Sequence, residues 1–488
     1  LCAGGRLGLP PASGRLSPSG AADAPLDPGP ETPAVPLPLP LLALFHGRLG
    51  DSRLAELEAV AQRLGAPGVD WTWDAQTLTT HGGDVGPSVV QPLPSLGASH
   101  HAWLGNAAAR SVACRGVFEV WGAGDTIDTC AAQTATVPAA HIRARVHSRW
   151  RLDSVVLGAR RSQHPGDLGS RLRAFGHVLD ALDDRPVDLS APVFRLWLVE
   201  DRRTLLDDGP LPAHSPTYHL LFQLPTQQPP IQDTVHRLDL RKRAFLSTST
   251  LPADRALLLC NLALANAPET GAGVLDPYCG SGGTLLAAAA LGAWTVGSDL
   301  DWRLVSDNRV PINIPATLNR PERGVESVRM RDNFDEADLP QPTALFPLDV
   351  GAPDAAAQLL VASGGHLYDA LVCDPPYGRR EFQQGAEGWA GELTFKVDEA
   401  ALVATLATLL GLARATLRPG GRLAFLAPVR SPRDANKPEL DALRRALVRD
   451  GGARDLRLVH IGVEAMHSGL HRAVVVMERT RGTGDEST

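Results

Sequence analysis

Val274-Leu275-Asp276-Pro277-Tyr278-Cys279-Gly280-Ser281-Gly282-Gly283 is the stretch on which the fold turns. An apolar pair ends in an acid and a proline. A glycine-rich turn follows, and Thr284 to Leu291 continues as an apolar run of helical length. Strand, tight turn, helix is the order in which open α/β sheets bind ligands. Glycines let backbone approach a ligand closely, and a helix N-terminus favours negative charge. Asp276, Tyr278, Gly280 and Gly282 are the binding candidates of this turn. The dinucleotide pattern G-x-G-x-x-G fails, because Leu285 stands where the third glycine belongs. The lysine of a P-loop is absent too. Taken alone, the turn also fits a plain βα connection.

The flanking sequence argues against that bland reading. Trp294 to Ser298 reads as the next strand, ending in Gly297-Ser298-Asp299-Leu300-Asp301. An acid about 20 residues after the glycines is placed to hold ribose hydroxyls. Asp299 is the first candidate and Asp301 the second. Leu348-Asp349-Val350 reads as the end of a third strand, with Asp349 placed for an adenine amino group. After the apolar Ala370–Cys373 comes Asp374-Pro375-Pro376-Tyr377-Gly378. An exocyclic amine on a base is a poor nucleophile, because its lone pair is delocalised into the ring. A site that methylates one needs acceptors for both N–H bonds and a face to hold the base. Asp374 offers a carboxylate, Pro375 a carbonyl, the two prolines a fixed turn, and Tyr377 a stacking ring.

Strand and helix continue to alternate. Ala253–Ala267 reads as a helix, and Val397–Leu417 as a long one stopped by Pro419-Gly420-Gly421. Arg422–Pro428 is a strand, Leu440–Val448 a helix, and Arg457–Val463 and Arg472–Met477 two strands close enough to pair antiparallel. Repeated βα units imply a mostly parallel sheet covered on both faces.

The N-terminal half is different. Residues 1–40 hold ten prolines and read as a disordered extension. Leu41–Phe45 reads as a strand, and Ser52–Leu64 as a helix that Asp51 is placed to cap. Val117–Trp121, Val193–Val199 and His219–Leu224 read as further strands. His141-Ile142-Arg143-Ala144-Arg145-Val146-His147 alternates strictly and predicts a strand with an apolar face and a basic one. Residues 141–180 carry eight Arg against three Asp in a chain whose net charge is −7. Arg143, Arg145 and His147 are candidates for nucleic-acid phosphates; a solvated Arg-rich surface is the plain alternative. The expected organisation is an extension at 1–40, an N-terminal region at 41–225, a linker at 226–240, a catalytic domain at 241–480 and a disordered tail at 481–488.

The acidic balance excludes a uniformly basic nucleic-acid coat. Six cysteines without a C-x-x-C pair argue against a disulfide scaffold and a four-cysteine zinc site, and make a reducing compartment the expectation. No metal site is expected. The longest apolar run, Ala34–Phe45, has 12 residues and three prolines, too short and broken to cross a bilayer.

With those residues in hand, the chain resembles class I S-adenosylmethionine-dependent amino-methyltransferases of the (D/N/S)-P-P-(Y/F) type. More narrowly, Asp276–Gly283, Gly297–Asp301 and Asp374–Glu381 resemble the THUMP-domain tRNA (guanine-10-N2)-methyltransferases. Leu238–Arg243, Ser247-Thr248-Ser249, Asn261-Leu262-Ala263 and Asp332-Asn333-Phe334 are similar to that family's other catalytic-domain segments, and Val117–Gly122 to its N-terminal half. The likeness runs from about 110 to 480 and is densest from 236 to 382. Residues 1–40, Gly351–Gly365 and Gln383–Lys396 depart from it; the second stretch reads as a local insertion. The resemblance implies a Rossmann-like methyltransferase domain behind an α+β, ferredoxin-like and THUMP, RNA-binding region. It also implies S-adenosyl-L-methionine as cofactor, tRNA as substrate, a small zinc-binding activator subunit as partner, and a cytoplasmic location. The alternatives are a related enzyme for another guanine or for adenine N6, and a non-catalytic RNA-binding subunit.

Overall fold

The computed structural model describes residues 39, 41–46, 52–66, 88–93, 101–157, 168–201, 217–247, 250–306, 310–311, 327–376, 399–430, 447, 455–465 and 470–480. The extension, the tail, the Asp51 cap, the Leu440–Val448 helix (except residue 447), the loop Gln383–Lys396 and Tyr377 therefore lie outside the described residues.

Strands β1 (Leu41–His46), β2 (Ser88–Leu93), β3 (Cys114–Gly124), β4 (Trp150–Leu157), β5 (Phe194–Asp201) and β6 (Thr217–Gln223) form one sheet in the order β2-β1-β3-β6-β5-β4. Only the β4–β5 pair is parallel. The unbroken apolar run of β1 is explained by burial on both faces. Leu41, Ala43 and Phe45 join the main core, while Leu42 and Leu44 pack with Phe118, Val199 and Leu221 on the other side. With this sheet go α1 (Ser52–Arg63), α2 (His101–Arg110), α3 (Ile127–Thr134), α4 (Ala139–Arg145), α5 (Leu168–Arg173) and α6 (Gly176–Ala181).

After Gln223 the chain forms α7 (Ile231–Arg237), a 3-10 turn at Leu240–Lys242 and α8 (Ala253–Ala263). The βα alternation follows: β7 (Gly273–Asp276), α9 (Gly283–Ala290), β8 (Trp294–Asp299) and α10 (Trp302–Val305). A short antiparallel pair, β9 (Val310–Pro311) and β10 (Ser327–Val328), leads to α11 (Met330–Glu336). Then come β11 (Ala344–Pro347), α12 (Ala355–Ala362), β12 (Tyr368–Cys373), α13 (Glu399–Thr416), β13 (Leu417–Arg430), β14 (Leu456–Ala465) and β15 (Leu470–Arg479). The sheet order is β11-β8-β7-β12-β13-β15-β14. Its first five strands are parallel, and β15 runs antiparallel between β13 and β14. The expected α/β sheet with an antiparallel last strand is therefore present. Strand order reverses between β7 and β12, which opens a crevice at the carboxyl ends of the central strands.

One expectation needs correction. His141–His147 is not a strand: its first five residues end α4. Ile142 and Val146 are buried, but Ala144 is exposed. A separation of four satisfies both a period of two and one of 3.6, so a seven-residue window could not choose between them. Gly351–Gly365, the stretch expected to depart from the family, contains a helix. Its Ala355–Ala362 is α12, the crossover helix that a parallel β11–β12 connection requires.

The two sheets are joined through α1, which packs on α8 and β14. Glu56 of α1 is fully buried. Its carboxylate accepts from Val112 N at 2.8 Å, Asn261 Nδ2 at 2.7 Å, Ser111 Oγ at 2.8 Å and Ala113 N at 2.9 Å. Four donors offset the cost of burying it. Further along α1, Arg63 Nη2 donates to the carbonyls of Glu269, at 2.9 Å, and Leu291, at 3.0 Å.

Candidate active site

The β7–α9 turn is built by two glycines in the left-handed region. Gly280 has φ +54° and Gly282 φ +80°, conformations costly for any side chain. At Gly282 an added Cβ would strike Met330 Sδ at 2.7 Å; at Gly280 it would make only an ordinary contact, with Ser247 Oγ at 3.9 Å. A backbone stripped of side chain and loosely contacted is what a closely bound ligand needs.

Carboxylates surround this turn. Asp276 is buried and accepts from Tyr278 N at 2.9 Å and from the Thr284 hydroxyl. Burial pushes its carboxyl up to about 7, against these two hydrogen bonds, and the negative charges of Asp299 and Asp374 push the same way. Asp276, at the end of β7, thus lies in the field of the acids that end β8 and follow β12. Asp299 accepts from Gly280 N at 2.9 Å through one oxygen and from Asp301 N at 2.9 Å through the other. It therefore fixes the glycine turn itself. Asp301 faces elsewhere: it caps α10 and holds Arg303 Nε at 2.8 Å and Nη2 at 2.5 Å. That pairing pulls its carboxyl below the ordinary range.

Asp349 follows β11 and is exposed, with Oδ1 accepting from Gly351 N at 2.9 Å. Tyr278 is half-buried, and burial raises its hydroxyl pKa, with Asp276 and Asp349 adding to the shift. At the end of β12, Asp374 is half-buried, Pro375 buried and Pro376 exposed. The structure thus gathers Asp276, Tyr278, Gly280, Gly282, Asp299, Asp349 and Asp374 at one end of the parallel strands.

Arg143, Arg145 and His147 lie in the other sheet's layer. Glu119 on β3 is fully buried, and Arg145 Nε meets its Oε2 at 2.9 Å while His141 meets the other oxygen. Arg143 is exposed; the His147 ring lies edge-on to Phe194, centroids 4.7 Å apart.

Sequence reasoning assigned no role to the residues that lie against the glycine turn from outside it. Asn333 is buried and clamps the backbone of Phe245 from both sides, accepting from its N–H and donating to its carbonyl, each at 2.8 Å. Beyond the clamp, Thr250 Oγ1 lies 2.7 Å from Ser281 Oγ in the turn. The only early signal was the likeness of Asp332-Asn333-Phe334 and Ser247-Thr248-Ser249 to family segments. Among the described residues no cluster of three or more His, Cys, Asp or Glu could hold a metal, and no helix is long and apolar enough to cross a membrane. The five described cysteines are buried and free.

The chain is similar to tRNA (guanine(10)-N(2))-methyltransferases. That of Mus musculus, TRMT11, is 25% identical over 341 residues, covering 67% of this chain and 68% of the relative. The Saccharomyces cerevisiae protein of that name is 23% identical over 351 residues, covering 67% and 72%. Among solved structures, TrmN from Thermus thermophilus aligns over 90% of this chain and 99% of its own, at 20% identity and a TM-score of 0.38. No protein-family model matches the chain.

Proposed function

We propose that the chain transfers a methyl group from S-adenosylmethionine to the exocyclic N2 of a guanosine in tRNA, at position 10. The observation that carries this is the convergence of Asp276, Asp299 and Asp374 around a glycine turn that Asp299 holds through Gly280 N. The similarity to relatives named for this reaction supports it.

The site fits the cofactor. Asp299 would hold the ribose hydroxyls, the Gly280 backbone would lie against the methionine part, and Asp349 would meet the adenine amino group. Asp276 and Tyr278 shape the turn from below. Asp301 is not needed for the ribose, being engaged with Arg303. When bound, S-adenosylmethionine supplies an electrophilic methyl group on a sulfonium.

Asp374 and the Pro375 carbonyl accept the two N–H bonds of N2 and aim its lone pair along the line of displacement. Such positioning supplies much of the rate advantage. As N2 gains the methyl group it becomes positive, and Asp374 stabilises that charge and takes the proton. The guanine must leave its stack, at a cost of a few kcal/mol. Stacking on Tyr377 offsets about 1–3 kcal/mol of it. Arg143 and His147, exposed near the end of α4, are the RNA contacts we retain from the N-terminal region, which we read as the RNA-binding part. The test is tritium incorporation from labelled cofactor into bulk tRNA, with the modified nucleotide mapped by mass spectrometry. N2-methylguanosine at position 10 is expected. Label on adenine, or none, overturns the reading.

A further inference from the structure

A cavity of about 670 Å³ opens between α7, the Leu240–Lys242 turn, α9 and α11. It lies outside the carboxylate cluster, behind the glycine turn, and is lined by His236, Arg237, Lys242 and Arg243 with Asp233 and Glu336. Arg243 decides its character. The residue is 7% exposed. Its Nε donates to the Leu238 carbonyl at 3.1 Å, yet Nη1 and Nη2 are buried with no hydrogen-bond partner among the described residues. Burial lowers its pKa to about 10, which leaves it charged at neutral pH.

Among the described residues no carboxylate pairs with that guanidinium. Asp239, the acid Arg243 senses most, is engaged with Arg241 through Nε at 3.1 Å and Nη2 at 3.0 Å. A second positive feature adds to the first. A Cβ built on Gly283, the first residue of α9, would stand 3.3 Å from Arg243 Nη1. Free N–H groups and the helix dipole at that end carry partial positive charge of their own. A buried guanidinium beside a helix N-terminus is a costly arrangement unless an anion completes it. The planar fork of Nη1 and Nη2 matches the tetrahedral oxygens of a phosphate, and Lys242, exposed at the edge, adds charge where such a group would enter.

We infer that this cavity is an oxyanion site that takes a phosphate group of the RNA backbone. The RNA part of this inference rests on the proposed tRNA substrate; the oxyanion part does not. The full chain is first unfolded thermally in inorganic phosphate and in chloride at matched ionic strength. Phosphate should raise the wild-type Tm by several degrees and leave Arg243→Met unmoved. In chloride alone that variant should be at least as stable as wild type, because a buried unpaired charge is gone. Lys242→Gln, on the surface, should weaken the phosphate response several-fold without touching the fold. For RNA, Arg243→Met should reduce the slope of log affinity for tRNA against log salt by about one, with cofactor affinity unchanged by calorimetry.

An equal phosphate response in wild type and both variants overturns the site. A lost phosphate response with an unchanged tRNA slope overturns RNA as the source and leaves a free phosphate. A tenfold loss of cofactor affinity with an unchanged slope assigns the guanidinium to the cofactor's carboxylate and also overturns the inference. A phosphate response that persists in a chain without methyl transfer to tRNA would sink the proposed reaction but not the oxyanion site.

Discussion

Two pairs of acids, one in each sheet, are satisfied in opposite ways. In the first, Glu119 and Glu200 are nearly inaccessible, and each is matched by a cation: Arg145 with His141 for the one, Arg171 for the other. In the second, Asp276 and Asp299 sit at neighbouring strand ends and are satisfied by backbone N–H groups and a hydroxyl. Pairing with a cation neutralises a carboxylate and closes its site. Satisfaction by N–H donors brings no compensating cation and leaves further lone pairs available. Glu56 on α1, held by N–H and hydroxyl donors, and Glu464 on β14, paired with Arg255, show that both modes also serve the fold, so what sets Asp276 and Asp299 apart is their place at neighbouring strand ends beside the glycine turn.

The sharpest way to break that distinction is at Asp374. Asp374→Ala should lower methyl transfer by about 10²–10⁴-fold, the usual range for a group that moves a proton in the transition state. Cofactor affinity should change no more than a few-fold. Activity within a few-fold of wild type would remove the acid from the chemistry and leave the β12 end as a turn.

Asp276 offers a test through pH. Burial raises its carboxyl from an ordinary 3.8 to about 7. A group raised in the folded state holds its proton there while the unfolded chain has already released it. Its contribution to stability is complete below the ordinary value and is lost as pH rises towards 7. The stability of wild type relative to Asp276→Asn should therefore fall by a few kcal/mol between about pH 4 and pH 7. Urea unfolding at stepped pH measures it. A flat difference would mean that burial does not raise the Asp276 carboxyl in the fold.

Next in size is the choice between Asp299 and Asp301. A hydroxyl–carboxylate bond is charge-assisted and contributes about 1.5–3 kcal/mol. Asp299→Ala should weaken cofactor binding roughly tenfold or more by calorimetry. Asp301→Ala should remove only the cap of α10 and an exposed ion pair, with cofactor affinity held within about twofold. The reverse result would move the ribose to Asp301.

Much of this was legible in the residues. The β7–α9 turn, the acid at the end of β8 and the β12 end are each written in contiguous sequence, and strand-helix alternation places them on one edge of a sheet. What was not legible depends on partners distant in the chain. Asn333 holds Phe245 across 88 residues. Glu56 gathers donors from 55 to 205 residues away. The guanidinium of Arg243 is exceptional only because of what surrounds it. The basic segment at 141–147 was misread for a different reason. Its two buried residues fit both periods, and burial of a hydrophobic pair four apart decides for a helix only when the residue between them is seen to be exposed.

That misreading changes what the basic residues can be asked to do, and the smallest expected effect follows from it. On a strand, Arg143 and Arg145 would share one solvent face and act as equals. On α4 they are separated in role: Arg145 meets the buried Glu119, while Arg143 is exposed. Arg143→Ala should therefore leave stability unchanged and flatten the salt dependence of tRNA binding by about 0.7–0.9, one phosphate's worth. Arg145→Ala should act the other way round. It leaves a buried carboxylate short of a partner, which costs about 1–3 kcal/mol of stability, and it changes the salt slope only as far as the fold loosens. Gel-shift titrations at several salt concentrations, read beside denaturation curves, separate the two. If both variants flatten the slope equally at unchanged stability, Arg145 is an RNA contact after all, and a cation beside a buried acid is no longer a sufficient sign of a structural role in this sheet.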